Sequence, residues 1–216
     1  MFDEEVATMW IRSQWKAGLI TVGWLGVVAG GFCFWEKYDR TPGVRQFEPG
    51  EEEEASPNRR LRIVFFAHPH CPCLRTTLGM LAEVMKKAPA DVEMVVEYVR
   101  PTGVPEGWEK TDSWKQASAL PGVTVHCDAG GVQARRLGAT TSGHLMAFDA
   151  TGKTIFSGGI STMRGRTGRS AGQQALEDLL AGRTPQTKET PVFGCPLFSS
   201  EDRLRENQEG VACPRQ

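Results

Sequence analysis

Two cysteines separated by a single proline are the residues of this sequence best suited to chemistry. They are Cys71 and Cys73, in a loop that follows an apolar run and precedes a segment with helical periodicity. A thiol at a strand-to-helix junction lies near unpaired backbone N–H groups and the positive end of the helix dipole, and both favour the thiolate. We therefore expect a lowered pKa here. Cys71 is predicted to be the attacking thiol nearer the open loop, Cys73 the more buried thiol, and His70 their neighbour in the active site.

A third cysteine, Cys195, lies in an apolar segment near the C-terminus, residues 191–198. Thiol–disulfide exchange needs an attacking thiolate and a resolving thiol, and Pro72 makes a bridge within the loop awkward. The apolar segment should pack on the domain, which would bring Cys195 to the face of Cys71 as the resolving partner. The alternative is that this segment only packs. The other cysteines, by their places in the sequence, are interpreted as without a role in the chemistry: Cys33, Cys127 and Cys213.

The elements that must position these thiols follow from hydrophobic periodicity. Residues 61–67 are typical of a buried strand, and residues 74–87 carry apolar side chains at helical spacing. Alternating strands and helices predict a parallel βαβ arrangement, and a later hairpin makes the sheet mixed. The further strands and the closing helix are predicted at residues 92–99, 123–127, 144–148, 153–157 and 172–180.

An uncharged stretch near the N-terminus, Ala17–Trp35, contains nineteen residues. At ~1.5 Å per residue, a helix of this length crosses the hydrocarbon part of a bilayer. Trp15 and Trp35 bracket it, as expected for interfacial aromatic residues. We therefore predict a single transmembrane helix after a polar segment, residues 1–16. A cleaved signal peptide and a buried core helix are the alternatives. The small-residue cleavage site of a signal peptide is missing, because the stretch ends in bulky side chains. Basic residues on both sides leave the orientation open.

The rest of the chain divides by composition. Residues 36–60 contain prolines, glycines and a glutamate run and are predicted to be a linker. Residues 61–182 form the predicted domain, residues 183–198 a docking tail and residues 199–216 a polar tail. The net charge of −1 argues against a nucleic-acid-binding protein, which would be strongly basic.

The order of the elements, with cysteines at the first strand-to-helix junction, resembles the thioredoxin fold over residues 61–182. Phe65-Phe66-Ala67 and Pro72-Cys73 match the thioredoxin pattern. The match is incomplete, since His70 occupies the place of the first cysteine and no proline lies within residues 140–144. The resemblance implies an α/β thioredoxin-like three-layer sandwich with a mixed sheet.

The layout is more similar to a group of membrane-anchored thioredoxin-domain proteins called RedB-like. Four short motifs carry this resemblance. They are Cys71–Cys73, Thr141–His144, Phe156–Ile160 and Pro191–Leu197. The resemblance implies a membrane-anchored redox protein, but it does not name a reaction.

Copper(I) handling is the alternative function. Thiolate and imidazole ligands suit copper(I) or zinc, and all four histidines of the chain lie in the predicted domain. Copper carriers of the Sco type resemble this chain in using two loop cysteines with a later histidine. That resemblance implies a site made of Cys71, Cys73 and His144. Docking of the C-terminal segment would add Cys195 as a third sulfur ligand. The spacing of the loop cysteines departs from the Sco pattern.

The sequence therefore predicts a single-pass membrane protein with a soluble domain on the oxidising, extracytoplasmic side, where such chemistry is useful. Its function is predicted to be thiol–disulfide oxidoreduction, with a protein thiol or disulfide as partner.

Overall fold

The computed structural model describes residues 4–43 and 59–199 of the chain. Most of the predicted linker, the polar tail from residue 200 and Cys213 lie outside the described residues. The chain forms two compact units, Met1–Arg40 and Thr41–Gln216, which are described separately.

The first unit is one helix, α1, from Glu4 to Asp39, 36 residues long. It extends beyond the predicted span at both ends. Its stretch from Gln14 to Asp39 is long and apolar enough to cross a membrane, and none of it is buried. Near its end the Trp35 indole N–H donates to the Asp39 carboxylate at 2.9 Å. An apolar N-terminal helix that could span a membrane is therefore present, as the composition predicts.

The second unit is built on a five-stranded sheet. In chain order the strands are β1 (Leu61–Ala67), β2 (Val92–Arg100), β3 (Val123–Ala129), β4 (His144–Asp149) and β5 (Thr154–Gly158). Their order in the sheet is β3-β2-β1-β4-β5. β1, β2 and β3 are parallel, whereas β4 runs antiparallel to both β1 and β5. The predicted mixed sheet is confirmed, with β1 at its centre.

Four helices accompany the sheet: α2 (Leu74–Met85), α3 (Asp112–Ser118), α4 (Val132–Arg136) and α5 (Ala171–Leu180). The sequence did not predict α4, which is too short to show helical periodicity. Its first turn is held by Asp128 at the end of β3, whose carboxylate accepts the N–H groups of Gln133 and Ala134. Such a carboxylate satisfies backbone donors that an isolated short helix would leave open.

The sheet is buried on both faces. Phe65 belongs to a core with α2, α3 and α5, and Phe66 belongs to a second core with α4. Because successive strand residues point to opposite faces, a central strand that is covered twice has to be apolar throughout. This explains the uninterrupted apolar run before the cysteine loop.

The C-terminal segment, residues 188–198, packs along this domain. It first follows the edge of β5, where the Ser157 N–H donates to the Lys188 carbonyl at 2.9 Å. It then crosses to the loop before β4, and its residues Leu197 and Phe198 enter the second core. Near the start of the second unit, the Gly43 N–H donates to the Val192 carbonyl at 2.8 Å. The segment is thus held from several sides.

Candidate functional site: three thiols at the start of α2

The cysteine loop joins the end of β1 to the start of α2. The Cys71 N–H donates to the His68 carbonyl at 3.0 Å, and the Leu74 N–H donates to the Cys71 carbonyl at 3.1 Å. Cys73 is the N-cap residue of α2 and already has helical backbone angles. Both cysteines therefore lie at the helix start, where the first backbone N–H groups have no partner within the helix.

The relative burial of the two cysteines differs from the sequence-based expectation. Cys71 is only 5 % exposed, whereas Cys73 is half-buried. The prediction that Cys73 is the more buried thiol is therefore wrong. The reason is that the C-terminal segment lies against Cys71, a contact that the local sequence does not encode.

A short stretch of strand-like pairing holds the C-terminal segment in this position. The Ser142 N–H donates to the Cys195 carbonyl at 2.8 Å, and Thr141 and Pro196 form an isolated antiparallel bridge. A Cβ atom on Gly194 would lie well inside van der Waals contact of the Ser142 carbonyl. Arg164 adds a guanidinium hydrogen bond to the Gly194 carbonyl. Only a residue without a side chain allows this close approach, which presents Cys195 to Cys71.

The Cys71 sulfur accepts four hydrogen bonds, from the Cys195 thiol, the Cys195 N–H, the Ser142 hydroxyl and the Cys73 N–H. The bond from the Cys195 thiol contributes most. Together these donors outweigh burial and lower the pKa of Cys71 from 9.0 to about 5. Donors to the charged form of an acid favour that form, so Cys71 is a thiolate at neutral pH.

The pKa of Cys195 is shifted in the opposite direction. Its thiol proton is engaged in the bond to Cys71, and this bond, together with burial and the negative charges of Cys71 and Cys73, raises the pKa of Cys195. The Arg164 guanidinium opposes this shift. The structure thus brings three predicted site residues together as one thiolate beside one protonated thiol, with Cys73 close by.

Ser142 is a site residue that the sequence analysis did not single out. Its hydroxyl accepts the His68 N–H at 2.9 Å and donates to the Cys71 sulfur. The residue is positioned by the pairing of β1 with the loop before β4, where the Gly143 N–H donates to the Phe66 carbonyl at 2.8 Å. The only signal in the sequence is its place in the motif Thr141–His144.

The two loop histidines pack against a tryptophan. The exposed His70 ring lies 4.6 Å from the Trp108 ring between centroids, and the His68 ring lies 5.7 Å from it. Burial lowers the pKa of His68, and the charge of Cys71 opposes this shift. The structure therefore gives His70 a contact with Trp108, while His68 is close enough to Cys71 for the thiolate charge to act on its pKa.

The residue proposed as a copper ligand, His144, lies elsewhere. It opposes Phe66 in the sheet and so faces the second core, whereas Cys71 belongs to the first. Its Nε2 lies 2.8 Å from the Ser157 hydroxyl. Across residues 4–43 and 59–199, no group of three or more His, Cys, Asp or Glu side chains is arranged to hold a metal ion. The structure does not assemble the predicted ligand set of Cys71, Cys73, Cys195 and His144.

No protein-family model matches the sequence, and no curated protein matches it. Solved structures do match. An uncharacterised conserved protein from Geobacillus kaustophilus matches with a TM-score of 0.57 at 19% identity, over 74% of this chain and 97% of that chain. A hypothetical protein from Sinorhizobium meliloti 1021 matches with a TM-score of 0.54 at 16% identity, over 74% and 96%.

A secreted Mycobacterium tuberculosis disulfide oxidoreductase homologous to E. coli DsbE is also similar, with a TM-score of 0.42 at 18% identity, over 61% of this chain and 96% of that chain. Likeness at such identities concerns the fold alone. The fold is also evident from the chain itself, in its βαβ unit with cysteines at the start of the first helix, the β4–β5 hairpin and the closing helix α5. The second unit has a thioredoxin-like fold.

Proposed function

We propose that this protein is a membrane-anchored thiol–disulfide oxidoreductase in which Cys71 is the attacking thiolate and Cys195 the resolving thiol. One observation carries the proposal: the Cys195 thiol donates its hydrogen bond to the Cys71 sulfur. This contact lowers the pKa of one cysteine and raises that of the other. An attacking and a resolving thiol need this difference.

The exchange balances with these two sulfurs alone. The Cys71 thiolate attacks one sulfur of a substrate disulfide, so that a mixed disulfide forms and the substrate's other sulfur leaves as a thiolate, which takes a proton from solvent. The Cys195 sulfur then attacks Cys71, passing its proton to the leaving thiolate. The products are a dithiol substrate and a Cys71–Cys195 disulfide, and the reverse sequence oxidises a dithiol.

Cys73 has a supporting part in this scheme. Its backbone N–H donates to the Cys71 sulfur, which helps to hold the thiolate. Its side chain is half-buried and close enough for its charge to act on Cys195. A bridge from Cys71 to Cys73 would have to close around Pro72, whose φ angle is fixed. We therefore assign the exchange couple to Cys71 and Cys195.

We also propose that α1 anchors the domain on the oxidising side of a membrane and that the chain is RedB-like. The convergence of the four motifs supports this kinship. The loop Cys71–Cys73 contacts Cys195, the motif Thr141–His144 pairs with the C-terminal segment, and Gly159 lies so close to the Pro191 carbonyl that a Cβ atom on it would clash. Retention in the membrane pellet after carbonate washing tests the anchor, and release into the supernatant contradicts it.

Peptide mapping of the full-length protein in detergent, after oxidation by oxidised glutathione, tests the exchange couple. We expect a Cys71–Cys195 disulfide, which should still form in Cys73→Ser and disappear in Cys195→Ser. Cys127→Ser is the matched control and should leave the bridge intact. A free Cys195 after complete oxidation of Cys71 would refute its role as the resolving thiol.

A further inference from the structure

The thiolate of this site is covered. Cys71 is 5 % exposed, and the C-terminal segment and Ser142, itself 1 % exposed, lie against it. A disulfide in a folded protein cannot approach a sulfur this deeply placed unless the segment moves away. A hydroperoxide presents a single terminal oxygen about the size of a water oxygen, so it needs a much smaller opening than a protein disulfide does.

The groups around the sulfur also decide what an oxidised Cys71 would do next. The Cys195 thiol is already in hydrogen-bond contact with the Cys71 sulfur. A sulfenic acid formed on a cysteine condenses with a neighbouring thiol to a disulfide, and this protects the sulfur from further oxidation. The second step therefore joins two side chains that are already neighbours in the folded domain.

We propose that hydroperoxides are a further class of substrate for this site, reduced at Cys71 while the C-terminal segment stays docked. The proposal rests on the assignment of Cys195 as resolving thiol. Hydroperoxide reduction takes place with the C-terminal segment docked, whereas exchange with a protein disulfide needs the segment to open.

The reaction balances as follows. The Cys71 thiolate attacks the terminal oxygen of the hydroperoxide, and the O–O bond breaks. Cys71 becomes a sulfenic acid, and the departing alkoxide takes a proton from solvent to give an alcohol, or water from hydrogen peroxide. The Cys195 sulfur then attacks the Cys71 sulfur, and the leaving hydroxide takes the Cys195 proton as water. A dithiol reductant returns the Cys71–Cys195 disulfide to two thiols.

The test uses the reduced full-length protein in detergent at pH 6, mixed with tert-butyl hydroperoxide or hydrogen peroxide. The thiolate fraction favours Cys71 over free cysteine, and lower intrinsic nucleophilicity offsets part of this gain, so we expect a rate at least about tenfold above free cysteine. Mass spectrometry should show the Cys71–Cys195 disulfide in wild type. In Cys195→Ser a dimedone adduct should appear on Cys71 instead, followed by the sulfinic acid at higher oxidant concentration.

Leu197→Ala separates the two reactions. Leu197 is 1 % exposed in the second core, and its truncation loosens the segment without removing a thiol. We expect Leu197→Ala to react several-fold faster with a protein disulfide and to reduce hydroperoxide no faster than wild type. Gly79→Ala, at a site with open space around it, is the matched control and should change neither rate.

The outcomes distinguish the two proposals. Rapid exchange with a protein disulfide, together with hydroperoxide reactivity no higher than that of free cysteine, overturns the hydroperoxide proposal alone. Hydroperoxide oxidation that ends in a Cys71–Cys73 bridge overturns it as well. If neither the protein disulfide nor the hydroperoxide forms the Cys71–Cys195 disulfide, the proposed function is overturned.

Discussion

Cys71 lies in the loop after β1 and Cys127 lies in β3 of the same domain, but the two thiols have opposite chemistry. Cys127 in β3 pairs with Tyr98, which in turn pairs with Ala67 at the end of β1, four residues before Cys71. Burial and the charge of Glu109 raise the pKa of Cys127. Hydrogen-bond donors lower the pKa of Cys71.

The difference between the two pKa shifts comes from the neighbouring groups and not from exposure. Cys127 is half-buried and therefore more accessible than Cys71. However, it faces the carboxylates of Glu109 and Asp128, which repel a thiolate, and Arg100 only partly compensates. Cys71 is nearly enclosed but meets N–H, O–H and S–H groups. A search for reactive cysteines by exposure alone would rank these two residues in the wrong order.

The largest expected effect is on thiolate content and activity. Cys71→Ser should abolish the thiolate absorbance near neutral pH and reduce disulfide exchange to background. At pH 7 an ordinary thiol with a pKa near 9 is about 1% ionised, on the order of 100-fold less than a thiol with a pKa of about 5.

The matched change is Cys127→Ser, which should leave both the absorbance step and the activity within about twofold of wild type. Titration of the absorbance at 240 nm between pH 3 and pH 10 checks both variants. An unchanged low-pH step in Cys71→Ser would show that the thiolate belongs to another cysteine.

The next effect concerns the contact that seats the C-terminal segment. Gly194→Ala places a methyl group against the Ser142 carbonyl and should destabilise the domain by about 1–3 kcal/mol, as overpacking does. It should also raise the pKa of Cys71, because the donors from Cys195 move away. Urea unfolding and thiolate titration measure the two effects. Gly79→Ala is the control, and equal stability and pKa in both variants would contradict the role given to Gly194.

The pH dependence of stability is the third expectation. A native pKa of about 5 at Cys71 means that the unfolded chain binds the proton between pH 5 and pH 9 while the native chain does not. Stability from this group is therefore complete above pH 9 and is lost as pH falls toward 5. The free energy of unfolding should rise across this window by at least about 1.4 kcal/mol more in wild type than in Cys71→Ser. Parallel curves for the two proteins would argue against the thiolate.

The smallest effect is expected for Ser142→Ala. It removes one of the donors to Cys71 and should raise the pKa of that thiol by about one unit, the equivalent of one hydrogen bond to a charged group. Ser157→Ala is the matched control, since that hydroxyl contacts His144 on the other face of the sheet. A shift of equal size in both variants would mean that the effect is not local to the site.

The sequence predicted the fold well where the signal is local. The alternation of strands and helices, the apolar β1 and the uncharged stretch within α1 follow from periodicity and length. Residues that meet only through long-range pairing were harder to predict. The burial of Cys71 depends on the C-terminal segment, and the role of Ser142 depends on the pairing of β1 with β4.

The position of His144 illustrates the same limit. Strand periodicity alternates side chains between two faces, but only the register of β4 against β1 decides which face a given residue occupies. Opposite Phe66, His144 faces away from the thiols. A strand histidine two residues from a site residue can therefore lie on the opposite face of the sheet from that site.

The attachment of the C-terminal segment has a consequence for biosynthesis. Cys71 lies early in the domain, whereas its partner Cys195 follows the closing helix α5 of the domain and is synthesised after it. Domains fold as their chains emerge, and contacts between distant parts of a chain form late. The nascent domain therefore carries an uncovered Cys71 without its Cys195 partner. During that interval Cys71 can react with a cysteine of any nearby chain. Docking of the C-terminal segment then covers the thiol.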